Sequence, residues 1–231
     1  FRGFGVNQVA FAMEQQVNKL AAALGLDAGT LRARNFVRPG GRLATGAAAG
    51  AASGLPVTLA RARAAARRRR LPRAHGDWVY GRGLACALKN VGYSFGFDDR
   101  ATARVLRDAT GARVEIGIAE VGQGAVTALT QIAAATLGLP PAAVTVVTAD
   151  TARVPDGGSA SASRVTMVAG EAVHAACLRI RRRLAACGGR LPRGGLRATA
   201  TSRAPRTDRF DDPRPRRHAR GYTWSTCVAD V

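Results

Sequence analysis

Apolar and polar positions recur along this chain in two rhythms, and the changes of rhythm mark its elements. Val9, Met13, Val17, Leu20 and Leu24 step by four, four, three and four, the spacing of one helix face, and Gly25 stands where that helix stops. Asp27 is placed to cap a short second helix that contains Leu31 and runs to about Asn35. From Arg38 to Pro56 the chain is Gly/Ala-rich and weakly patterned, and reads as a connection. Arg61 to Arg70 predicts a basic, solvated helix ended by Pro72, because Ala and Arg both favour helix.

The rhythm then shortens to two. Arg82 to Val91 and Phe95 to Leu106 read as strands, the second with Ala101, Ala103 and Val105 alternating with Thr102 and Arg104. The turn Asp108-Ala109-Thr110-Gly111 joins it as a hairpin to a third strand, where Val114, Ile116 and Ile118 alternate with Glu115 and Gly117. Val126, Leu129, Ala133 and Leu137 return to helical spacing, closed by Gly138 and blocked by Pro140-Pro141. Val144 to Thr148 predicts a further strand. A polar loop from Asp150 to Arg164 leads into a helix marked by Val165, Val168, Val173, Ala176, Ile180 and Leu184. Residues 188–221, rich in Gly, Pro and Arg, read as irregular, and Tyr222 to Val231 as a strand start. The predicted fold class is α+β, with helices packed on mixed sheets and no internal repeat.

At 231 residues there is enough chain for one large domain or two small ones. It begins at Phe1 without Met and stops inside a predicted strand, so an internal fragment of a longer protein is expected. The net charge of +20 raises nucleic-acid binding as a reading. Yet only Lys19 and Lys89 of the 35 basic residues are lysine, an imbalance more like coding bias, and no aromatics interleave with the arginines as a base-stacking platform. Partner docking, or arginine without function, accounts for the charge better. Cys86, Cys177, Cys187 and Cys227 lack the spacing of a zinc, iron–sulfur or disulfide framework and suit a reducing cytoplasm. No apolar run is long enough to cross a membrane.

Candidate chemistry sits at three loop-to-helix junctions: FRGFG at residues 1–5, Gly122-Gln123-Gly124, and GGSASASR at 157–164. Glycines let backbone approach a ligand closely, and a helix start offers N–H groups to an anion. Gln123 adds an amide that both donates and accepts. Phe4 adds an aromatic face beside Arg2, with a core position as the alternative. Ser159, Ser161 and Ser163 are also candidates to cap the helix that follows. Three such junctions in one chain suggest a large ligand carrying oxygen anions.

The three segments FRGFGVNQVAFAMEQQVNKLAAALGLD, EVGQGAVTALTQIAAATLG and DTARVPDGGSASASRVTMVAGEAV, in this order, resemble the molybdenum-binding large subunit of the xanthine dehydrogenase and aldehyde oxidase family. The likeness covers most of 1–35 and 82–186, fades over 38–76 and 188–220, and returns in APRTDRFDD and the closing YTWSTCVADV. It implies that 1–37 ends a first molybdopterin-binding half, that 38–77 is a linker, and that 78–231 begins a second half. It implies a molybdopterin cofactor, in the cytosine dinucleotide form usual in bacteria, with molybdenum that takes no bond from a protein side chain. By position, Arg2 and Gly3 lie in the loop near the metal centre, and Phe4 is the ring that stacks on substrate. Gly122, Gln123, Gly124 and Thr127 hold the cofactor, as does the dinucleotide loop Ala160, Ser161, Ala162 and Ser163, with the Ala162 backbone facing the metal.

The implied reaction is hydroxylation of an electron-poor carbon of a purine, another N-heteroaromatic or an aldehyde, with oxygen from water. Electrons would leave through iron–sulfur clusters and FAD on partner domains or subunits. Gly3 stands where the carbon monoxide-oxidising branch places a cysteine, so that branch is not implied. The chain also departs from the family. Glu14, Glu115, Glu120 and Glu171 do not match the glutamate base, which the family carries near the end of its large subunit. A further cofactor glutamine is implied upstream of Phe1. Asn7 replaces a common proline, and Arg164 a common apolar residue, a change expected to alter pocket polarity. The competing readings are a degenerate, non-catalytic remnant of the family and a basic nucleic-acid-binding protein.

Overall fold

Strict alternation in the middle of the chain builds a four-stranded sheet. In the computed structural model, which describes residues 3–49, 53–213 and 217–231, strands β2 (Arg100–Asp108) and β3 (Gly111–Glu115) pair antiparallel through the predicted turn. The Asp108 carboxylate closes that turn by accepting from the Thr110 N–H at 2.9 Å and from its hydroxyl. β4 (Val144–Val147) runs parallel to β3, and β5 (Leu196–Arg203) antiparallel to β2, giving the order β4-β3-β2-β5. A parallel pair requires a crossover, and helix α4 (Ala125–Leu137) supplies it. Helix α5 (Gly170–Ala186) follows a single π-helical turn at Val165–Ala169.

One face of this sheet makes the core. Ala101, Ala103, Val105, Val114 and Ile116 are buried with Leu129 and Ala133 of α4 and with Val173, Ala176 and Ile180 of α5. The other face is polar, the usual division for a sheet covered on one side. There Thr102 and Thr201 share a hydroxyl–hydroxyl bond of 2.9 Å, and Arg104 and Arg113 flank Glu115. Two expectations are corrected. The strand predicted from Phe95 begins only at Arg100, and Phe95 itself has φ of 59°, outside extended backbone. The stretch 188–221 is not wholly irregular. Leu196, Ala198 and Ala200 alternate with Arg197, Thr199 and Thr201, and that period of two makes β5.

Residues 96–207 form this unit; residues 1–95 and 208–231 form the other. The second unit carries α1 (Val6–Ala23), α2 (Ala28–Asn35), α3 (Leu55–Arg67) and a two-stranded antiparallel sheet of β1 (Arg82–Val91) and β6 (Gly221–Asp230). Asp27 caps α2 as predicted, accepting from the Thr30 N–H at 2.8 Å. α3 starts earlier than the basic run, with Pro56 in its first turn, where proline's missing N–H costs nothing. A Cβ on Gly54 would meet the Trp224 ring at 2.9 Å, so glycine is what lets β6 approach the start of α3.

The apolar stripe of α1 is not its buried face. Val9, Met13, Leu20 and Leu24 are all more than half exposed. The helix turns Glu14 inward instead, where its carboxylate accepts from the Arg32 Nε and from the Cys86 N–H, both at 2.7 Å. Arg32 is buried and donates as well to the Ala28 carbonyl and the Asn18 side chain. A buried guanidinium needs this set of acceptors, and it fixes the rotation of α1.

Candidate functional site

The two central loops leave the same place in the fold. Past the end of β3, Gly117 donates its N–H to the Pro155 carbonyl at 2.8 Å and accepts from the Gly157 N–H at 3.2 Å. A Cβ on Gly157 would fall 2.6 Å from the Gly117 oxygen and 2.8 Å from the side chains of Ile116 and Ile118, so the approach requires glycine. From this contact one strand runs on into 118–124 and α4, the other into 158–164 and α5. Both loops lie past the carboxyl ends of the parallel strands β3 and β4, where open α/β sheets receive ligands.

In the first loop the expectation of free N–H groups is corrected. The Glu120 carboxylate accepts from the N–H groups of Gly122 at 2.9 Å, Gly124 at 3.1 Å and Val126 at 2.8 Å. It therefore serves as the internal anion at the start of α4, and these bonds, that from Val126 foremost, hold its pKa below the ordinary 4.5. Gly122 and Gly124 have φ of 87° and 83°, the left-handed backbone that turns the loop. Gln123 folds back on the turn, its amide nitrogen donating to the Ala119 carbonyl and its oxygen accepting from the Val121 N–H. Thr127 is exposed on the first turn of α4.

The second loop is built the other way round, on an internal cation. Arg164 is fully buried and ion-paired with Asp99. Its Nη1 donates to the carbonyls of Gly157 at 2.9 Å and Ser159 at 3.0 Å, and its Nη2 to the Arg100 carbonyl. The expected change of pocket polarity at this position is thus corrected, since the guanidinium points into the protein. Ala162 and Ser163 both have left-handed backbone, with φ of 51° and 56°. The N–H groups of Ala160, Ala162 and Ser163 donate to no acceptor among the described residues. Ser159 and Ser161 bond through their hydroxyls at 2.7 Å, and the residue at the helix cap is Arg164 and not a serine.

The third loop belongs to the other unit. Arg2 lies outside the described residues. Gly3 and Gly5 have φ of 85° and 81°, and α1 starts immediately after them. Phe4 is 91% exposed, so it is not a core side chain of the described residues.

The carboxylates are largely engaged. Glu14 is tied to Arg32 and Cys86, Glu115 to Arg104 and Arg113, and Glu120 to backbone amides. Glu171 lies in the first turn of α5. Sequence reasoning missed Glu120 and Arg164 as the residues that shape the two loops. An acid two residues before a Gly-x-Gly helix start was a readable signal for the first. For the second, the partner Asp99 is 65 residues away and no local pattern points to it.

The pattern of the molybdopterin cofactor-binding domain matches residues 57–212, and a second molybdopterin cofactor-binding pattern matches 1–36. The chain belongs to the molybdopterin cofactor-binding family of the molybdenum hydroxylases. A probable xanthine dehydrogenase component of Bacillus subtilis is 32% identical over 175 residues, which are 75% of this chain and 24% of the relative. A putative xanthine dehydrogenase molybdenum-binding subunit of Escherichia coli K12 is 34% identical over 192 residues, 80% of this chain and 25% of its own length. The chain therefore spans about a quarter of the curated relatives it matches.

Among solved structures, the aldehyde oxidoreductase of Desulfovibrio desulfuricans superposes with a TM-score of 0.78 at 23% identity, over 100% of this chain and 27% of that one. The carbon monoxide dehydrogenase of Oligotropha carboxidovorans gives 0.62 at 20% identity, over 99% of this chain and 35% of that one. These likenesses establish the α+β fold of this molybdenum hydroxylase chain as that of the molybdopterin-binding region.

The two loops suit such a cofactor unequally. Residues 160–163 offer small side chains, and Ala160, Ala162 and Ser163 offer backbone N–H groups with no acceptor among the described residues, the chemistry an oxygen-rich anionic group needs. The start of α4 offers the remaining N–H and lone pair of the Gln123 amide, which also bonds Ala119 and Val121, because the backbone N–H groups there are already held by Glu120.

Proposed function

We propose that these residues form part of the molybdopterin-binding surface of a full-length enzyme that hydroxylates a purine, another N-heteroaromatic or an aldehyde with oxygen from water. The observation that carries the reading is the lateral contact at Gly117 and Gly157, from which the Gln123 and Ala160–Ser163 loops depart together. When bound, the molybdenum centre supplies the oxygen transfer and accepts two electrons. In this reading the cofactor is the cytosine dinucleotide form. Iron–sulfur clusters and FAD on partner domains or subunits would take the electrons, and the enzyme would work in the cytoplasm.

The roles of this chain's own residues follow from their chemistry. The N–H groups of Ala160, Ala162 and Ser163 would bind anionic oxygens of the cofactor, with Ser161 beside them and the Ala162 backbone assigned to the metal side. Gln123, held between Gly122 and Gly124 and close to Thr127, contributes a neutral amide that donates at one atom and accepts at the other. Arg2 and Gly3 are, by resemblance, cofactor-loop residues, and Phe4 presents a ring for an aromatic substrate to stack on. Glu14, Glu115 and Glu120 are not free general bases in this reading. Each is committed to structural partners, and proton transfer falls to a glutamate outside these 231 residues.

The test is molybdenum and pterin content of the full-length protein carrying Gln123→Ala. Leaving a buried cofactor group unpaired costs about 1–3 kcal/mol, so occupancy should fall at equal protein concentration. Unchanged molybdenum content together with unchanged turnover would remove Gln123 from the site. The unsubstituted full-length enzyme should reduce no dye with carbon monoxide, since Gly3 carries no thiol; carbon monoxide-dependent reduction would contradict the proposed substrate class.

A further inference from the structure

Among the described residues Arg164 heads the fully buried side chains by volume, and it ties the loop it follows to the start of β2. Two of its acceptors, the carbonyls of Gly157 and Ser159, lie inside the loop, and the Arg100 carbonyl and the Asp99 carboxylate anchor it to the start of β2. A trans peptide points its C=O and the following N–H in opposite directions. With the Ser159 oxygen drawn in to the guanidinium, the Ala160 N–H is turned away from the interior. With the Gly157 oxygen drawn in, the Gly158 N–H is turned away too, and it bonds the Asp156 carboxylate at 2.8 Å. Gly158 has φ of 71°, and a Cβ there would lie 2.7 Å from Nη1 of Arg164, so the loop passes the guanidinium only as glycine. Ala162 and Ser163 then hold left-handed backbone that L-residues adopt at a steric cost, persisting only where the surroundings over-determine it.

We infer that Arg164 is a positioning residue for the 160–163 donors. Its guanidinium fixes the peptide planes of 157–160 from the inside, so that the Ala160 N–H and the donors after it face a ligand. This rests on the reading of 160–163 as the cofactor loop. Lysine cannot substitute. Its single ammonium lacks the planar fork that reaches Asp99 through one nitrogen and three carbonyls through the others.

The experiment uses the full-length protein with Arg164→Lys and Arg164→Met. Amide exchange is read at Gly157, Gly158 and Arg164, all hydrogen-bonded here, against Val114 and Glu115 in β3. Molybdenum and pterin are measured per folded protein. For Arg164→Lys we expect loop exchange at least about tenfold faster, β3 exchange within about twofold of the parent, and a several-fold loss of cofactor. If Arg164→Met does not fold, the lysine variant still decides. Loop exchange unchanged, or loop and β3 accelerating together as for a merely structural ion pair, overturns the positioning role. Faster loop exchange with full cofactor content instead overturns the reading of 160–163 as the cofactor loop, and with it the ligand side of the inference.

Discussion

The unit formed by 96–207 and the unit formed by 1–95 with 208–231 solve the burial problem differently. In the first, β-branched and leucine side chains from strands and helices converge, and Val105, Val114, Ile116, Leu129, Val173 and Ile180 are completely covered. In the second, the buried apolar residues are mainly small or single: Ala21, Leu31, Ala47, Ala49, Leu59 and Ala219. Its large ones, including Phe4, Phe11, Met13, Leu20, Leu24, Trp78 and Phe210, face outward. A sheet of four strands carrying two helices encloses a core, whereas a two-stranded sheet is marginal. The contrast teaches that an amphipathic pattern states which face a helix should bury and not whether the surrounding chain buries it.

The sharpest way to break that contrast is truncation on both sides of it. Leu129→Ala or Ile180→Ala should destabilise by about 2–5 kcal/mol, because both side chains are fully buried in the continuous core. Leu20→Ala on the outer face of α1 should stay within about 0.5 kcal/mol. Denaturant midpoints on the same protein measure both. A Leu20→Ala cost equal to that of Leu129→Ala would mean α1 is covered in solution.

The next effect concerns polar groups. Arg164 in one unit has its nitrogens met by acceptors, whereas His218 in the other is buried with neither ring nitrogen hydrogen-bonded, packed against the rings of Phe95 and Phe210. An unmet buried polar group costs about 1–3 kcal/mol, so His218→Leu should raise the thermal midpoint. A fall on that substitution would show that the imidazole has a partner in solution.

Much of this was legible in advance, for physical reasons that differ by element. β1, the β2–β3 turn, α4 with its Gly138 stop, and the Asp27 cap all rest on local rules, and each lies where its residues predict. The inward side of α1 was not legible, since a carboxylate sets it and the apolar stripe does not. Glu14 is claimed by Arg32, 18 residues on, and by Cys86, 72 residues on, and neither is visible within one helix. β5 was legible and overlooked, since the Arg and Gly around it masked three apolar residues in alternation. At the loops the sequence marked where glycine was needed. It did not reveal that one helix start carries its own anion and the other its own buried cation.

Two smaller predictions sharpen the comparison at the helix starts. Asp27→Ala removes the α2 cap and should cost about 0.5–2 kcal/mol, read as a shifted denaturant midpoint; no shift would mean that cap is idle. Glu120 does the corresponding work for α4 on an exposed loop. Its folded pKa lies below the ordinary 4.5, so its contribution is present above that value and lost as pH falls through the lowered one. Thermal midpoints of the parent and Glu120→Gln should therefore separate above about pH 4.5 and converge in acid. Parallel curves across that range would remove the carboxylate from the cap.

The pairing of β1 with β6 sets an order of events in time. Arg82 meets Asp230 across 148 residues, with the whole 96–207 unit encoded between the two strands. A ribosome adding about 5–20 residues per second takes on the order of ten seconds to span that interval. The hairpin of β2 and β3, closed by Asp108 and Gly111, needs microseconds. During synthesis the β2–β3 hairpin thus closes while β1 still waits, an unpaired edge beside an apolar helix, for β6 to emerge. That interval is when a chaperone has the most to protect.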